Sequence, residues 1–416
     1  MPRAMKDSGI EWLGDIPATW KTIKFKYLHN GLNTGEGIDK DYWSTEENDT
    51  VFYTAGLAPI KTNYKNFPSW KYTKKNDLLL ARNGTPYVYY PVEGACYTDH
   101  IIRAEMKETV NKKFIVYSLQ QSISSVVVES VSLATWSASL WNEQKIPFPP
   151  LDEQQRIAAF LDDKCARIDS VIEKTRASIV EYKRLKQSII TRAVTKGIRP
   201  ARPMKDSGVE WLGDVPADWE VTKLKYIFSI IGGNGFPDIL QGNTTGDYPF
   251  CKVSDINSEA DYVDTASNWV SQSVVDDNRF NIIPTGSIIM AKIGAALAKN
   301  HRKINMVQCC IDNNTQALVP KRKDFLRYLL YLSKCINMSW FDNNSTVPSV
   351  NNTKLLNFKV SIPPLDEQKE IAAYLDGKTA AIDSLIKKKG GLVTELESLK
   401  KSLIFEYVTG KKEAPT

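Results

Sequence analysis

Two segments of this chain each occur twice, and this duplication constrains the fold more than any other feature. The copies are residues 5–28 with 204–227, and residues 149–174 with 363–388. The first pair is identical at 16 of 24 aligned positions and the second pair at 18 of 26. The inserts between the copies, 29–148 and 228–362, share almost no sequence. The duplication therefore predicts one framework, present twice, that carries two different inserts.

The second repeated segment predicts the start of a long helix in each copy. After a Pro-Pro pair, Asp152 stands at an N-cap position with Gln155 three residues on, which is close to a capping box. Asp162 and its counterpart Asp376 then predict a break, because a glycine follows Asp376 and glycine is costly inside a helix.

Beyond the predicted break, apolar residues recur at the spacing of a coiled-coil seam. The seam positions are Ile168, Ile172, Ile179, Tyr182, Leu185 and Ile189 in the first copy, and Ile382, Ile386, Val393, Leu396, Leu399 and Leu403 in the second. Because a seam this narrow does not stabilise an isolated helix, we expect the two helices to pair in antiparallel orientation. The alternative is that each helix packs separately on its own globular unit.

The inserts have the pattern of mixed α/β structure. Residues 77–81 and 287–291 are short apolar runs that follow turn residues, and they predict buried strands. Residues 112–121 and 324–335 predict helices.

Composition and charge argue against several classes of protein. The sequence has no apolar run of about 18 residues and no apolar segment near its start, so we expect neither a membrane span nor a secretory signal, and a cytoplasmic location. The six cysteines form no C-x-x-C pair, and three histidines are too few to indicate a zinc site. A net charge of +6 is compatible with nucleic-acid binding on one face but does not by itself indicate it.

The repeated motifs and their order resemble those of the specificity subunits of Type I restriction–modification enzymes. The opening W-L-G-D-[IV]-P-x-x-W begins at Trp12 and Trp211, and P-P-L-D-E-Q, followed by I-A-A-[FY]-L-D, begins at Pro149 and Pro363. The resemblance implies a mixed α+β fold, in which two α/β target recognition domains are joined by two long antiparallel coiled-coil helices with a pseudo-twofold, circular organisation.

The resemblance also divides the chain into functional segments. These are a first target recognition domain (1–148), a central helical region (149–200), a second target recognition domain (201–362) and a C-terminal helical region (363–416). Each recognition domain would read one half of a split, asymmetric site in double-stranded DNA, and the helices would serve as a ruler and a docking surface. The implied protein partners are two methylation subunits, which bind S-adenosylmethionine, and two motor–nuclease subunits, with ATP and magnesium also expected on partner subunits. The chain itself would be non-catalytic and would hold no cofactor or metal.

A search for catalytic motifs favours the same interpretation. An adenine methyltransferase needs a D/N-P-P-Y/F loop, but both Pro-Pro pairs here precede leucine. Glu367-Gln368-Lys369 matches the letters of a nuclease E-x-K motif, but the first copy has Gln155 in place of the lysine. The chain has no G-x-x-x-x-G-K-[ST] nucleotide loop.

Polar loops of the inserts are the candidates for DNA contact, because arginine and lysine suit guanine, and asparagine and glutamine suit adenine. The candidates are Lys61, Asn63, Tyr64, Arg82, Asn83, Thr85 and Tyr87 in the first insert, and Lys292, Lys299, Asn300, His301, Arg302, Lys303, Asn343, Asn344 and Ser345 in the second. For any one of them, the simpler interpretation is a solvated turn.

One alternative function remains open at this point. The chain could be a coiled-coil scaffold with two protein-binding heads that does not read DNA. Salt-sensitive DNA binding would distinguish the two functions, because contacts to phosphates release counterions.

Overall fold

A computed structural model describes residues 3–83, 86–127, 135–258, 260–322, 324–343 and 347–415. None of the helices within these ranges is both long and apolar enough to cross a membrane. The chain divides into two units, of which the first comprises Met1–Arg176 with Gly390–Thr416 and the second comprises Ala177–Lys389. The C-terminal segment thus completes the N-terminal unit, as expected for a circular organisation.

In its described residues, the first unit contains twelve strands, two α-helices of its own and part of each long helix. The strands are β1 (Met5–Asp7), β2 (Asp15–Pro17), β3 (Lys21–Lys24), β4 (His29–Thr34), β5 (Trp43–Ser44), β6 (Thr50–Tyr53), β7 (Ile60–Thr62), β8 (Asp77–Ala81), β9 (Val88–Tyr89), β10 (Cys96–Tyr97), β11 (Ile101–Met106) and β12 (Lys145–Phe148). The helices are α1 (Lys112–Val127), α2 (Ala138–Glu143) and the long α3 (Leu151–Lys196).

The insert of the first unit is built on a sheet with the strand order β4-β11-β8-β9. All five residues of β8 are buried, which confirms the predicted strand. A second sheet has the order β10-β6-β7-β5. The framework contributes the hairpin β1-β2 and the strand β3. Strand β3 pairs in antiparallel orientation with β12, the last strand of the insert, just before α3.

The second unit repeats this plan with more elements. Its strands are β13 (Met204–Asp206), β14 (Asp214–Pro216), β15 (Glu220–Lys223), β16 (Phe228–Gly232), β17 (Tyr248–Cys251), β18 (Tyr262–Val263), β19 (Trp269–Val270), β20 (Ile288–Ala291), β21 (Arg302–Asn305), β22 (Cys310–Ile311), β23 (Thr315–Pro320) and β24 (Lys359–Ile362). Its helices are α4 (Leu224–Ile227), α5 (Val253–Ile256), α6 (Gln272–Asn278), α7 (Ala296–Lys299), α8 (Leu326–Cys335), α9 (Asn352–Asn357) and the long α10 (Leu365–Val408).

The sheets of the second unit correspond to those of the first. The hairpin β13-β14 and the pair β15-β24 repeat the framework pairs, and the main sheet has the order β16-β23-β20-β21-β18. Its strand β20 is fully buried, as predicted for this apolar run. The two inserts therefore share a core plan although their sequences differ.

Both long helices are uninterrupted, so the predicted break is wrong. α3 continues through Asp162 over 46 residues, and α10 continues through Gly377 over 44 residues. A glycine inside a helix costs only about 1 kcal/mol, and tertiary packing of the helix offsets a cost of that size.

In the first unit the two long helices pack in antiparallel order. Asp169 pairs with Lys400 at 2.6 Å, and Arg176 pairs with Glu397 at 2.6 Å, so positions ascend along α3 as they descend along α10. These ion pairs are exposed and each contributes about 0–1 kcal/mol, so they set the alignment more than the stability.

The second unit shows the same antiparallel order. Lys186 pairs with Asp383 at 2.7 Å, and the Lys389 ammonium lies 5.7 Å from the centre of the Tyr182 ring. The predicted pairing of the long helices is thus confirmed within each unit.

The side chains that are buried between the long helices agree only in part with the predicted seam. Ile172, Ile382 and Val393 are buried, and Ile168, Ile179, Tyr182, Ile189, Ile386, Leu396 and Leu403 are half-buried. Leu185 and Leu399 are exposed by 48% and 53%. The next residues along each helix, Lys186 and Lys400, are half-buried instead. Their ammonium groups pair with aspartates of the facing helix.

Candidate nucleic-acid interface

The loop after β8 presents Arg82 to solvent on a fixed backbone. The Arg82 N–H donates to the His100 carbonyl at 2.8 Å, and the Arg82 carbonyl accepts from the Trp136 N–H at 2.7 Å. Asn83 lies beside it, with Nδ2 2.6 Å from His100 Nδ1. Tyr87 is half-buried and packs on Tyr89. The candidate Thr85 lies outside the described residues.

The second polar loop of the first insert is held together by two of its three candidates. Lys61 Nζ donates to the Glu47 carbonyl at 2.9 Å. The Tyr64 ring packs edge-on against Tyr42, with ring centres 5.0 Å apart. Asn63 is exposed. Asn63 is therefore the most exposed of these three candidates.

The basic run of the second insert is divided between a rim and a buried strand. Lys299 ends α7 and is exposed, and Asn300 follows it in the left-handed backbone region with φ 53°. His301 is half-buried. Arg302 and Lys303 are only 3% and 2% exposed, because they belong to β21, which lies between β20 and β18.

The buried pair donates to oxygens within the second unit. Lys303 Nζ bonds to Ser258 Oγ at 2.5 Å and to the Ala260 carbonyl at 2.9 Å. Arg302 donates to the His301 carbonyl at 2.8 Å and to Asn300 Oδ1 at 2.7 Å. Both side chains are therefore enclosed in the second unit and are not presented to solvent by its loops.

Two further candidates of the second insert lie near each other. The Lys292 carbonyl accepts from the Val350 N–H at 3.0 Å, and Asn343 Nδ2 donates to Ser349 Oγ at 3.1 Å. Ile293 and Ser349 form an isolated bridge that connects the two loops. Asn344 and Ser345 lie outside the described residues. The structure brings the candidates together only in these small groups, and their contact with DNA stays a prediction.

Sequence reasoning missed the buried side-chain contacts, or joints, that hold each unit together. The first joint is formed around a carboxylate of the second unit. Glu367, the glutamate of P-P-L-D-E-Q, is 2% exposed. Its Oε2 accepts from the indole Nε1 of Trp219 at 3.0 Å, and the Arg202 guanidinium forms an ion pair with the same carboxylate.

The first unit has the same joint. Glu153 Oε2 accepts from Trp20 Nε1 at 2.8 Å and its Oε1 pairs with Arg3 at 2.7 Å. The arginine also stacks over the indole in both units, with Arg3 5.2 Å from the Trp20 ring centre. The two repeated motifs are therefore bound to each other, which explains why both recur together.

The glutamine of the same motif attaches each insert. Gln154 Oε1 accepts from the Asn111 N–H at 3.0 Å, at the start of α1, while its Nε2 donates to the Pro149 carbonyl. Gln368 Oε1 accepts from the Phe325 N–H at 2.8 Å, at the start of α8. Both glutamines are 1% exposed.

A third joint connects the insert helix to the long helix in each unit. Tyr117 OH donates to Asp162 Oδ1 at 2.9 Å, and Lys113 forms an ion pair with the same carboxylate. In the second unit, Tyr331 OH donates to Asp376 Oδ1 at 2.6 Å, and Arg327 Nε donates to it at 2.6 Å. The signal that could have revealed these joints was the identity of the aspartate, glutamate and glutamine in both copies.

Asp261 extends the third joint of the second unit and makes it sensitive to pH. Its carboxylate pairs with Lys334 and, at 2.6 Å, with Arg327. Burial opposes ionisation, but Lys334 and Arg327 outweigh it and hold the pKa of Asp261 below its usual value. A depressed folded-state pKa contributes stability above the unfolded pKa, and this stability is lost as pH falls through the folded pKa.

We therefore expect Asp261→Asn to lower the free energy of unfolding by about 1–3 kcal/mol at pH 7. The difference from the unsubstituted chain should begin to shrink as pH falls below about 4, the usual pKa of aspartate, and should continue to shrink as pH falls through the lower pKa of the folded carboxylate. Urea unfolding at a series of pH values measures this, and the exposed Asp264→Asn serves as the matched control. A loss that is the same at pH 7 and pH 3.5 would contradict the assignment.

The described residues give little sign of metal or thiol chemistry. They contain no group of three or more potential metal ligands. All six cysteines are buried as free thiols, and burial raises the pKa of Cys96 to about 11 and that of Cys310 to about 12. Thiols with raised pKa values are poor nucleophiles and poor metal ligands at neutral pH.

Comparison with known proteins gives a consistent result. A family model described as the Type I restriction modification DNA specificity domain matches residues 17–180 and 216–392. The specificity subunit of the Type I restriction enzyme MjaVIII from Methanocaldococcus jannaschii is 24% identical over 433 aligned residues, covering 95% of this chain and 93% of that protein. The EcoBI specificity subunit from Escherichia coli is 24% identical over 366, covering 83% and 75%.

A solved structure supports the fold. A chain in the structure described as "Structural basis underlying complex assembly and conformational transition of the type I R-M system" superposes with a TM-score of 0.70 at 17% identity, covering 95% of this chain and 99% of that one. The predicted fold class, with two mixed α/β domains and two long paired helices, is thereby confirmed. Because the family model matches well over half of the chain, in two copies, this protein belongs to the Type I restriction–modification DNA specificity family and is a specificity subunit that recognises a DNA sequence.

Proposed function

We propose that each insert reads one half of a split, asymmetric DNA site, while the duplicated framework assembles the modification complex on that site. The observation that carries this proposal is the contrast between the joints and the inserts. The Glu-Trp-Arg, Gln and Asp-Tyr joints recur in both units, whereas the loops presented to solvent differ. A common attachment with unlike reading surfaces predicts two unlike half-sites.

We assign base reading to candidate side chains that are exposed or, in the case of Asn83 and Lys292, half-buried. Arg82 with Asn83, and Asn63, serve this role in the first insert. Asn343 and Lys292 serve it in the second. An arginine fork suits the O6 and N7 acceptors of guanine, and an asparagine suits adenine in the major groove. His100, which contacts Asn83, would then position that amide.

The framework offers the same exposed apolar side chains in both units. Met5 and Met204 are 39% and 41% exposed, and Tyr27 and Tyr226 are 57% and 58% exposed. Leu151 and Leu365, at the starts of α3 and α10, are 40% and 44% exposed. Exposed apolar patches often mark protein contacts. Two equal sets support docking of two copies of one partner, which we assign to the methylation subunits.

The chemistry would then reside outside this chain. S-adenosylmethionine would bind the two methylation subunits, ATP and magnesium would act on partner subunits, and two motor–nuclease subunits would join for restriction in the cytoplasm. The two glutamates of the framework motif support a non-catalytic role, because Trp20 and Trp219 donate to them and arginines pair with them.

The test is to express this chain with its methylation subunits in a host and to sequence the methylated adenines. We expect one motif with two unlike halves and a fixed gap. Gel-shift titration of the same complex should show DNA binding that weakens steeply with salt. A complex that assembles but neither methylates nor binds DNA would favour the alternative, a scaffold without DNA reading.

A further inference from the structure

A large groove in the second unit lies between the long helices and the second insert. Its volume is about 840 Å³. Six cationic side chains line it: Lys183 and Lys186 from α3, Lys387 from α10, Lys299 from α7, Arg302 from β21 and Lys334 from α8. Two carboxylates, Asp261 and Asp383, also line it.

The cations of the groove outnumber its carboxylates by four, that is six minus two. Lys186 pairs with Asp383, and Lys334 pairs with Asp261. Lys183 and Lys387 are exposed and, among the residues that the structure describes, neither forms an ion pair. Within the described part of the chain, the Lys299 ammonium donates to the neutral side chain of Asn257 and forms no ion pair. The groove thus has an uncompensated positive charge.

Arg302 is the strongest indication that the groove suits an anion. Its side chain is 3% exposed, and within the described structure its guanidinium donates to neutral oxygens of Asn300, His301 and Ile336. Its Nε is buried without a hydrogen-bond partner in the described structure. Burial lowers the pKa of Arg302 to about 9, so the group still carries its charge at neutral pH. A buried charge without a counter-charge is costly, and an anion in the groove would reduce that cost.

The first unit differs at the matching positions of its long helices. Its pair Asp169–Lys400 corresponds to Asp383–Lys186. When the two units are aligned on this pair, Glu173 of the first unit occupies the position of Lys387 in the second. Likewise, Glu397 occupies the position of Lys183. Glu397 is itself neutralised by Arg176. The positive groove is therefore a feature of the second unit and not a general property of the repeated framework.

We propose that this groove binds a phosphate of the DNA backbone beside the half-site that the second insert reads. This inference rests on the proposed function. The rim of the groove is formed by Lys299 and Asn300, which lie in the basic loop of that insert. Contacts to phosphates fix the register of a protein on DNA without reading sequence. The groove would thus orient the second insert on the duplex, and the paired helices would contribute directly to DNA binding through Lys183 and Lys387.

The test is a double variant, Lys183→Gln with Lys387→Gln, assembled with the methylation subunits. DNA binding is titrated at several salt concentrations, on the chain's own methylated motif and on an unrelated duplex. Each lost phosphate contact should reduce the slope of log K against log salt by about 0.9. We expect a reduction of about one to two, with both duplexes weakened by the same factor and the methylated motif unchanged. Lys183→Glu with Lys387→Glu, which copies the charges of the first unit, should weaken binding further.

The matched control is Lys388→Gln, because Lys388 is exposed on the same helix next to Lys387 but does not line the groove. This control should change the slope of log K against log salt less than the double variant does. An unchanged slope in the double variant overturns the proposal. So does a loss confined to the chain's own motif, which would mean base reading.

In a further experiment, inorganic phosphate is titrated into the complex without DNA, and its binding is measured by calorimetry. Tight binding of the free ion that depends on the two lysines, with no effect of their substitution on DNA affinity, would identify a small-anion site and also overturn the proposal. If instead the unsubstituted complex does not prefer its own motif, the proposed function itself fails, and this outcome is distinct from a failure of the groove.

Discussion

A chain that carries residues 29–148 at both insert positions should direct methylation to a symmetric split site. In this variant the second insert, 228–362, is replaced by a copy of the first. Both halves of the motif should then equal the half read by the first insert. They should stand as an inverted repeat, because a protein with twofold organisation reads a palindromic site.

The joints explain why the transplanted insert should fit. Asn111, Lys113 and Tyr117 would move with the first insert to the second framework. There they would meet Gln368 and Asp376, which are the same residue types as Gln154 and Asp162 in their own unit. The three attachments would be re-formed without any further substitution.

Sequencing of methylated adenines measures the outcome. The specific motif is bound typically 10³–10⁷ times more tightly than other DNA, so the original asymmetric motif should lose its methylation almost completely. The reciprocal variant, with residues 228–362 at both positions, is the matched control and should yield the other half as an inverted repeat. A motif that keeps its asymmetry in a well-folded variant would refute the assignment of one half-site to each insert.

Glu367→Gln should destabilise the second unit by about 3–5 kcal/mol, as expected when one partner of a buried ion pair is removed. The amide would place N–H donors opposite the guanidinium of Arg202, whose side chain is only 12% exposed. The indole N–H of Trp219 would compete for the one remaining oxygen.

The long helix provides its own control for this prediction. Glu370, one turn further along α10, pairs with Arg199, but both side chains are about half exposed (49% and 51%). Glu370→Gln should therefore cost less than about 1 kcal/mol. Urea unfolding followed by tryptophan fluorescence compares the two variants. Equal losses in both would show that the buried glutamate does not hold the framework together.

Several elements of the inserts were predictable because their sequence signals are local. The apolar run of β20 and the helical spacing of residues 112–121 each lie within one element, and both became the expected structure. The continuity of α3 was not predictable from the same kind of signal. Asp162 resembles a helix breaker in sequence, but its carboxylate is occupied by Lys113 and Tyr117.

The candidate interface was harder to predict because the sequence does not separate loops from strands in a polar run. Lys299 to Lys303 has the composition of a solvated turn, but β21 begins at Arg302 and places two cations inside the second unit. The joints were missed for a different reason. Their partners are far apart in sequence, and a repeated glutamate gives no indication of which tryptophan it will meet.

The way in which the last residues complete the first unit has a consequence for synthesis. Ile404 and Val408 lie in the same apolar core as Ile157 and Leu161. Residues 177–389 form a contiguous unit, so all of its parts are present once residue 389 has left the ribosome. The N-terminal unit, although made first, must wait until residues 177–416 have been synthesised, which takes roughly 12–48 s at about 5–20 residues per second. During that interval, the apolar side chains of α3 in the first unit lack the residues that cover them in the folded chain. The nascent chain should therefore depend on chaperones most in its N-terminal unit.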